Sequence, residues 1–230
     1  MMLKKWDDLP DMLRTEEVRP YYDVLAKRQA DLVIKRAFDL VVSFVLLVLF
    51  LPIFLILSLM ICLDSKGPAI FKQKRVTQYG KPFYIYKFRT MVQNADKLGA
   101  QVTTSGDPRV TRVGKWIRRC RLDEVCQLLN VLNGTMTFVG TRPEVQKYVD
   151  GYTDEMMATL LLPAGITSEA SIQFKDEERL LTDAQNVDET YLQVVLPQKM
   201  QYNLDALRRF SFFGEIKLLF KTVAAVLKRE

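Results

Sequence analysis

A long apolar segment is the strongest pattern in the chain. It runs from Val41 to Leu63 without a charged residue. As a helix it would be about 34 Å long at about 1.5 Å per residue, enough to cross the hydrocarbon core of a bilayer. It is longer than the core of a secretory signal peptide, and no small-residue cleavage site follows it. We therefore expect a membrane helix over residues 32–64, ended by the turn-forming residues 64–68.

Pro52 lies near the middle of this segment, where a proline removes a helix hydrogen bond and is expected to break or bend the helix. Basic residues flank the segment on both sides, namely Lys27, Arg28, Lys35, Arg36, Lys66, Lys72, Lys74 and Arg75. Because an excess of lysine and arginine usually marks the cytoplasmic side, these flanks favour a re-entrant helix with both ends in the cytoplasm. A tilted, kinked single span is the alternative interpretation.

Shorter patterns predict the remaining elements. Alternation over residues 69–76 and 83–89, around a turn at 77–81, predicts a β-hairpin with Lys87 and Arg89 on one face. Helical patterns cover residues 123–133, 145–162 and 188–208, and Pro197 interrupts the last. The predicted fold class is therefore α+β: a helix-rich monotopic membrane domain with a small hairpin and interfacial amphipathic helices.

Three regions follow from these patterns. Residues 1–31, with Pro10 and Pro20, look like a weakly ordered or surface-lying arm, residues 32–64 form the membrane helix, and residues 65–230 form a cytoplasmic domain. This last region ends in a helix with an apolar face made by Phe213, Ile216, Phe220, Val223 and Leu227, and with lysines beside it at 217, 221 and 228. Such a helix can lie among lipid headgroups or pack on the core of the domain.

Composition narrows the chemistry. The 230 residues are 49% hydrophobic and carry a formal charge of +6, which suits an anionic membrane surface or substrate, and no nucleic-acid-binding module is visible. Cys62, Cys120 and Cys126 form neither a disulfide framework nor a zinc pattern, which indicates a reducing cytoplasmic face. Because the chain has no histidine, its chemistry must come from carboxylates, lysines, tyrosines, hydroxyls or thiols.

The best candidates are two adjacent carboxylates, Asp123 and Glu124, which follow closely on Arg118, Arg119 and Arg121. Guanidinium groups match phosphate oxygens, and their charge is expected to keep an aspartate ionised and able to attack phosphorus. The pattern predicts a phosphate-handling site with its own nucleophile. The alternative interpretation is a solvated helix start, where carboxylates favour the positive end of the helix dipole.

A set of short motifs resembles one family when the motifs are taken in order and spacing. They are KRAFD at 35–39, the apolar helix with Pro52, DSKGP at 64–68, QKR at 73–75, YKFRTM at 86–91, LDE at 122–124, QLLNVLNG at 127–134, VG at 139–140 and RP at 142–143. From about Ile34 to Leu227 the chain resembles the bacterial sugar transferases that act as monotopic polyprenyl-phosphate phosphoglycosyl transferases. It resembles their minimal catalytic form, without the additional membrane helices that precede this domain in longer members.

The resemblance implies that a nucleoside diphosphate sugar, such as a UDP-sugar, gives its sugar 1-phosphate to undecaprenyl phosphate at the cytoplasmic face of the bacterial inner membrane. It implies that Asp123 is the nucleophile of a covalent phosphosugar intermediate, and that Glu124, with Asp123, holds Mg²⁺ or assists the second step. Residues that would bind phosphate or substrate are Arg118, Lys87, Arg89, Arg142, Arg75 and Asp188. A structural role in the hairpin or turn is the alternative for Lys87, Arg89 and Arg142.

Some positions depart from the common family pattern, including Val125 and Cys126 after the carboxylates, Thr141, and residues 163–171. These departures leave the carboxylates intact and the sugar, the nucleotide, the downstream glycan and the oligomeric state open. Two other functions compete: a membrane-bound lipid phosphatase or pyrophosphatase that uses Asp123 with water as acceptor, and a peripheral scaffold that binds anionic lipid through its basic face.

Overall fold

The computed structural model describes residues 3–95, 106–174 and 186–227. The first part contains 3₁₀ turns at Trp6–Asp8 and Asp11–Leu13, then α1 (Arg19–Ala26), α2 (Gln29–Asp64), β1 (Ile70–Val76), a 3₁₀ turn at Gln78–Gly80 and β2 (Pro82–Phe88). The second contains α3 (Arg112–Arg119), a 3₁₀ helix at Leu122–Gln127, α4 (Leu128–Asn133), β3 (Met136–Val139), α5 (Gln146–Val149), a 3₁₀ helix at Met156–Leu161, β4 (Ala164–Thr167) and α6 (Glu169–Gln173). The third contains α7 (Val187–Thr190), a π-helical turn at Tyr191–Val195, α8 (Leu196–Arg208) and α9 (Phe212–Leu227).

The apolar segment lies in α2, which is one helix of 36 residues. Pro52 lies inside it without ending it, so the expected break is not a gap in the helix. Within the described ranges, α2 is the one helix long and apolar enough to cross a membrane. Only 11% of its most apolar 18-residue window is buried, so it is not the core helix of a soluble domain.

Both ends of α2 contact the rest of the domain. Near the first end, Arg36 donates hydrogen bonds to the carbonyl oxygens of Val131 (2.6 Å) and Leu132 (3.0 Å) in α4. Near the last end, Leu57 and Ile61 are buried in one cluster with residues of β2 and α3. Apolar side chains of α2 that pack on the domain include Leu32, Phe38, Val42, Leu46, Leu47, Phe50, Phe54, Leu57 and Ile61. The opposite face exposes large apolar side chains, including Val41, Phe44, Val48, Leu55 and Leu59.

Buried charges fix the first part of α2 to β3 and α9, in what we call the helix-base cluster: Lys35, Asp39 and Glu215. Lys35 donates to the Val139 carbonyl oxygen (2.8 Å) and pairs with Glu215 (2.5 Å). Asp39 is fully buried and accepts from the Thr137 hydroxyl (2.6 Å). Because every member has a polar partner, the cluster is a stable way to bury charge at the start of this long apolar helix.

The predicted hairpin is confirmed. β1 and β2 pair antiparallel in the register Ile70↔Phe88 to Val76↔Pro82, close to the expected bounds. Asn130 of α4 covers the outer edge of β2, because its side chain accepts from the Tyr86 amide (3.0 Å) and donates to the Tyr84 carbonyl oxygen (2.8 Å). The helix expected over residues 123–133 is also present, as a 3₁₀ helix followed by α4, and Gly134 ends it with φ +85°.

A second sheet was not predicted. β3 and β4 pair in parallel, with Met136 opposite Ala164 and Val139 opposite Thr167. Each strand has four residues, and the partner of each lies far along the sequence, so no turn signal announces the pair. Gly165 permits the close packing beside it, since a Cβ there would lie 2.2 Å from the Gly140 amide nitrogen.

The arm before α2 is folded, so the expectation of weak order was wrong. Leu13, Val18 and Leu25 are fully buried in a cluster shared with the 3₁₀ helix at Met156–Leu161 and with α8. The Tyr21 hydroxyl donates to Glu155 (2.5 Å). Apolar residues scattered over short turns do not form a helical or strand period, which is why the arm was underestimated.

The last predicted helices differ in their bounds. The pattern over 145–162 is divided into α5 and the 3₁₀ helix at Met156–Leu161. The interruption in 188–208 is a π-helical turn just before α8, and Pro197 lies in the first turn of α8. The C-terminal helix is confirmed as α9, and Phe213, Phe220 and Val223 of its predicted apolar face are exposed. The side chain of Leu227, and Lys228, lie outside the residues described.

Candidate active site

Asp123 and Glu124 lie in the first turn of the 3₁₀ helix Leu122–Gln127, directly after Arg121, whose φ is +56°. This 3₁₀ helix packs against β2, and the inner face of the hairpin brings Lys87 towards the carboxylates. The turn after β3 brings Arg142 from another direction. We call Asp123, Glu124, Lys87 and Arg142 the carboxylate pocket.

Glu124 is the carboxylate that takes the ion pairs. Arg142 donates to both of its oxygens, one through Nη2 and the other through Nη1 at 3.3 Å, and the Lys87 Nζ lies 3.9 Å from Oε1. Burial alone would raise the pKa of Glu124, but Arg142 and Lys87 outweigh it and lower the pKa to about 2. Glu124 is therefore ionised at neutral pH and fixes two cations in the pocket.

Asp123 behaves in the opposite way. Burial raises its pKa, the negative charge of Glu124 raises it further, and Lys87, Arg118 and Arg142 oppose this only in part. Nearby positive charge does not dominate the pKa of Asp123, because burial and the negative charge of Glu124 together outweigh Lys87, Arg118 and Arg142. That the aspartate is ionised stays a prediction. A raised pKa on a carboxylate beside an ionised one is typical of coupled acids at functional sites.

Lys87 is also shifted. Burial lowers its pKa to about 8, with Glu124 opposing the shift and Arg142 and Arg75 adding to it. A lysine with this pKa is only partly protonated a little above neutral pH, so the charge of the pocket is sensitive to mildly alkaline conditions.

Arg118 lies beside the pocket. Its Nε donates to the Thr90 hydroxyl (3.1 Å), and its charge acts on Asp123. Gly114 makes this placement possible, because a Cβ there would lie 2.1 Å from the Thr90 carbonyl oxygen and would push α3 away from the end of the hairpin. A glycine is therefore required at this position because the backbone of α3 lies so close to Thr90, although the φ of Gly114 is not positive.

Arg89 makes contacts at the end of α2, and its predicted role in phosphate binding stays a prediction. It is buried, and its guanidinium donates to the carbonyl oxygens of Lys66 (2.8 Å) and Ser65 (2.6 Å), just past the end of α2. Arg89 therefore fixes the segment that directly follows α2 to the end of β2. The alternative role for Arg89 is to fix local structure, and its contacts support this role.

Two further predicted residues lie outside the first contacts of the pocket. Arg75 projects from the same face of the hairpin as Lys87 and donates to the Pro143 carbonyl oxygen (3.2 Å). Asp188 accepts from Lys147 (2.6 Å) and the Tyr148 hydroxyl (2.5 Å), and these bonds lower its pKa. The roles of Arg75 and Asp188 in binding substrate remain predictions.

Sequence reasoning did not find Glu144, Tyr191 and Lys199, which form a buried polar group behind Arg75. Only Glu144 had a local signal, because it follows Arg142 and Pro143 in the same cationic turn. Among the described residues, no group of three or more histidine, cysteine, aspartate or glutamate side chains is placed so that it could hold a metal ion. Asp123 and Glu124 nevertheless fit Mg²⁺, which proteins often bind through one or two carboxylates together with substrate phosphates.

Comparison with known proteins gives one consistent family. The family described as bacterial sugar transferase matches residues 30–229. The chain is 36% identical over 197 residues to a UDP-N-acetylgalactosamine-undecaprenyl-phosphate N-acetylgalactosaminephosphotransferase of Aeromonas hydrophila, covering 84% of this chain and 44% of that protein. It is 35% identical over 195 residues to the UDP-glucose:undecaprenyl-phosphate glucose-1-phosphate transferase of Escherichia coli, covering 83% and 39%.

A protein of the same description from Caulobacter vibrioides is 34% identical over 196 residues, covering 84% of this chain and 69% of that one. The chain thus spans less than half the length of the first two relatives and about two thirds of the third.

Proposed function

The chain belongs to the bacterial sugar transferase family, and we propose that it transfers a sugar 1-phosphate from a UDP-sugar to undecaprenyl phosphate, releasing UMP and starting the assembly of a glycan such as an exopolysaccharide. The observation that carries this proposal is the carboxylate pocket. Two adjacent carboxylates of opposite pKa shift lie among Lys87, Arg142 and Arg118 in a chain of this family. This arrangement combines a nucleophile with donors for phosphate oxygens.

The proposed reaction has two displacements at the phosphorus that bears the sugar. In the first, an ionised Asp123 oxygen forms a bond to this phosphorus, and the bond to the bridging oxygen breaks so that UMP leaves. In the second, a phosphate oxygen of undecaprenyl phosphate attacks the same phosphorus, and the bond to Asp123 breaks. Lys87, Arg118 and Arg142 stabilise the negative charge on the equatorial oxygens.

Glu124 supports both steps by holding Arg142 and Lys87 in place. Asp123 attacks in its ionised form, and the positive charges of Lys87, Arg118 and Arg142 favour that form. We propose that Asp123 and Glu124 also contact Mg²⁺, which would supply additional positive charge to the phosphates.

We further propose that α2 is re-entrant and that the pocket lies at headgroup depth on the cytoplasmic face. The support is that α2 contacts one domain at both ends, through Arg36 and α4 and through Ile61 and α3, while its opposite face is exposed and apolar. The exposed Phe213 and Phe220 of α9 would lie in the same interface, with lysines close to anionic lipid. Undecaprenyl phosphate would then reach the pocket from the membrane.

A transfer assay tests the activity. Purified protein in nanodiscs is incubated with a panel of UDP-sugars labelled in the sugar, Mg²⁺ and undecaprenyl phosphate. We expect label in the lipid phase with one UMP released for each label, and loss of transfer when EDTA removes the metal. Label released as free sugar phosphate would indicate a hydrolase, and no release of UMP with any donor would indicate a scaffold.

Labelling of single cysteines tests the topology. In a background with Cys62, Cys120 and Cys126 replaced by serine, a cysteine at Lys27 or Lys66 should react with an impermeant reagent only after the cytoplasmic side is opened. Both residues are exposed and flank α2. Reaction of either one in intact cells would contradict the re-entrant arrangement and indicate a full span.

A further inference from the structure

A buried carboxylate lies behind the carboxylate pocket, two residues beyond Arg142. Glu144 is only 6% exposed, and its carbonyl oxygen accepts a hydrogen bond from the Val76 amide (3.0 Å) at the end of β1. The turn that carries Arg142 is therefore tied through its backbone to the strand that carries Arg75. Burying this carboxylate requires partners that compensate for the loss of water.

Two side chains supply partners on one side of Glu144. The Tyr191 hydroxyl donates to its Oε1 (2.5 Å), and the Lys199 Nζ donates to the Tyr191 hydroxyl (2.8 Å). Lys199 also lies 3.6 Å from the same carboxylate oxygen. Tyr191 and Lys199 are both nearly fully buried, so solvent does not screen these interactions strongly.

Arg75 lies on the other side of Glu144. Its Nη1 is 3.6 Å from Oε2 of Glu144, and its Nη2 donates to Gln73 (2.9 Å). One carboxylate thus lies between two cations, Lys199 and Arg75, and separates charges that would otherwise repel. Arg75 projects from the same hairpin face as Lys87, and its Nη1 donates to the carbonyl oxygen of Pro143 (3.2 Å), the residue after Arg142. Its guanidinium therefore lies beside the turn that carries Arg142.

We propose that Glu144 is a positioning residue that, held by Tyr191 and Lys199, keeps Arg75 oriented towards the pocket, where Arg75 binds the diphosphate of the sugar nucleotide. This inference rests on the proposed function. Arg75 is the residue that touches substrate, and Glu144 acts through it. Glu124 offsets part of the positive charge of Lys87 and Arg142. The positive charge that remains on these two residues is less than the negative charge of a diphosphate, and Arg75 provides a further planar donor.

A double-mutant cycle tests this role, with transfer measured at varied UDP-sugar in nanodiscs. Glu144→Gln keeps the size of the side chain and removes the charge between Arg75 and Lys199. We expect Glu144→Gln and Arg75→Gln each to raise KM for the donor about tenfold, and to change kcat less than about threefold. If Glu144 acts through Arg75, the double variant has the same KM as Arg75→Gln alone.

A matched pair of tyrosines separates positioning from stability. Tyr191→Phe removes the hydroxyl that donates to Glu144, and Tyr21→Phe removes a hydroxyl that donates to Glu155 at the same distance of 2.5 Å from a similarly buried ring. Glu144 is buried, whereas the side chain of Glu155 is 46% exposed, so Tyr191→Phe should lower the melting temperature more than Tyr21→Phe. At a temperature well below both melting temperatures, only Tyr191→Phe should raise KM for the donor, by about threefold.

Several outcomes would overturn the inference. One is a double variant in which the two effects multiply, because Glu144 would then act independently of Arg75. Another is an equal change in KM for Tyr191→Phe and Tyr21→Phe, which would indicate general loosening. If Glu144→Gln fails to fold, the tyrosine pair decides alone. Wild-type protein that transfers no sugar phosphate at all would refute the proposed function first, whereas active protein with additive variants would refute only this inference.

Discussion

The carboxylate pocket and the helix-base cluster bury the same kinds of side chain and use them differently. In the helix-base cluster, Asp39 accepts bonds from Thr137 and from the Phe138 amide, and Lys35 pairs with Glu215. In the pocket, Glu124 takes the ion pairs and Asp123 is left with a raised pKa. In the helix-base cluster, both Asp39 and Glu215 accept hydrogen bonds from side chains of other elements, and these contacts hold the elements together. In the pocket, two adjacent carboxylates have pKa shifts of opposite direction, which is typical of a functional site.

The largest expected effect is a loss of transfer activity caused by a substitution in the carboxylate pocket but not by one in the helix-base cluster. Asp123→Asn should lower transfer by about a thousandfold or more, because an amide cannot attack phosphorus. The variant should be as stable as the wild type or more stable, since burial and Glu124 both disfavour the charge that it removes. Transfer of label to lipid and thermal unfolding in nanodiscs measure the two quantities.

Asp39→Asn is the matched control in the other region. It should reduce stability by about 2 to 4 kcal/mol, because the new amide cannot accept from both the Thr137 hydroxyl and the Phe138 amide. Protein that folds should retain most of its transfer activity. If Asp123→Asn proved the less stable of the two, or kept its activity, the division between the regions would be wrong.

The sequence predicted elements that depend on neighbours along the chain. The hairpin around residues 77–81 and the helix that ends at Gly134 follow from local turn chemistry. The parallel pair of β3 and β4, and the burial of Leu13 with the 3₁₀ helix at Met156–Leu161, depend on contacts between distant residues. No local period reports such contacts.

The candidate site was predicted by residue type more completely than by role. Asp123, Glu124, Lys87 and Arg142 do meet in the structure. The direction of the pKa shift at Asp123 could not be predicted, because it depends on how deeply Asp123 is buried and on which of the two adjacent carboxylates the cations face. Arg89 could not be distinguished from the pocket residues, because the sequence does not show which groups its guanidinium contacts. In the structure these groups lie at the end of α2.

The next largest effect concerns stability within the pocket. Glu124→Gln should lower the free energy of unfolding by about 2 kcal/mol at neutral pH, because it removes the carboxylate that pairs with the partly buried Arg142 and Lys87. The pKa of Glu124 falls from 4.5 to about 2 on folding, so its contribution is complete above about pH 4.5 and is lost as the pH falls towards 2.

Thermal unfolding of Glu124→Gln and the wild type from pH 7 to pH 3 tests this sign. The gap between their melting temperatures should shrink on the acid side. A gap that is constant across this range, or that grows at lower pH, would show that Glu124 is not the ionised member of the pair. Asp123→Asn provides the comparison, because a raised pKa gives a contribution that is lost as the pH rises.

A smaller effect is expected on the alkaline side. The pKa of Lys87 is about 8, so the pocket loses one positive charge above that pH. The value of kcat/KM for the sugar nucleotide should then fall by up to about tenfold per pH unit. Lys87→Arg should keep its charge and move this decline to higher pH. A wild-type profile that stays flat up to pH 10 would exclude Lys87 as the titrating group.

The smallest expected effect lies in the helix-base cluster. Burial raises the pKa of Glu215, although Lys35 opposes the shift, so the ion pair does not fully compensate for the burial of the carboxylate. Glu215→Gln retains an oxygen that can accept from Lys35 and removes the charge that burial disfavours. It should change the free energy of unfolding by less than about 1 kcal/mol and leave transfer unchanged. Glu124→Gln serves as the comparison under identical conditions, because its carboxylate has a lowered pKa instead. If Glu215→Gln lowered the free energy of unfolding more than Glu124→Gln does, the ion pair of the helix-base cluster would contribute more to stability than the ion pairs of the carboxylate pocket.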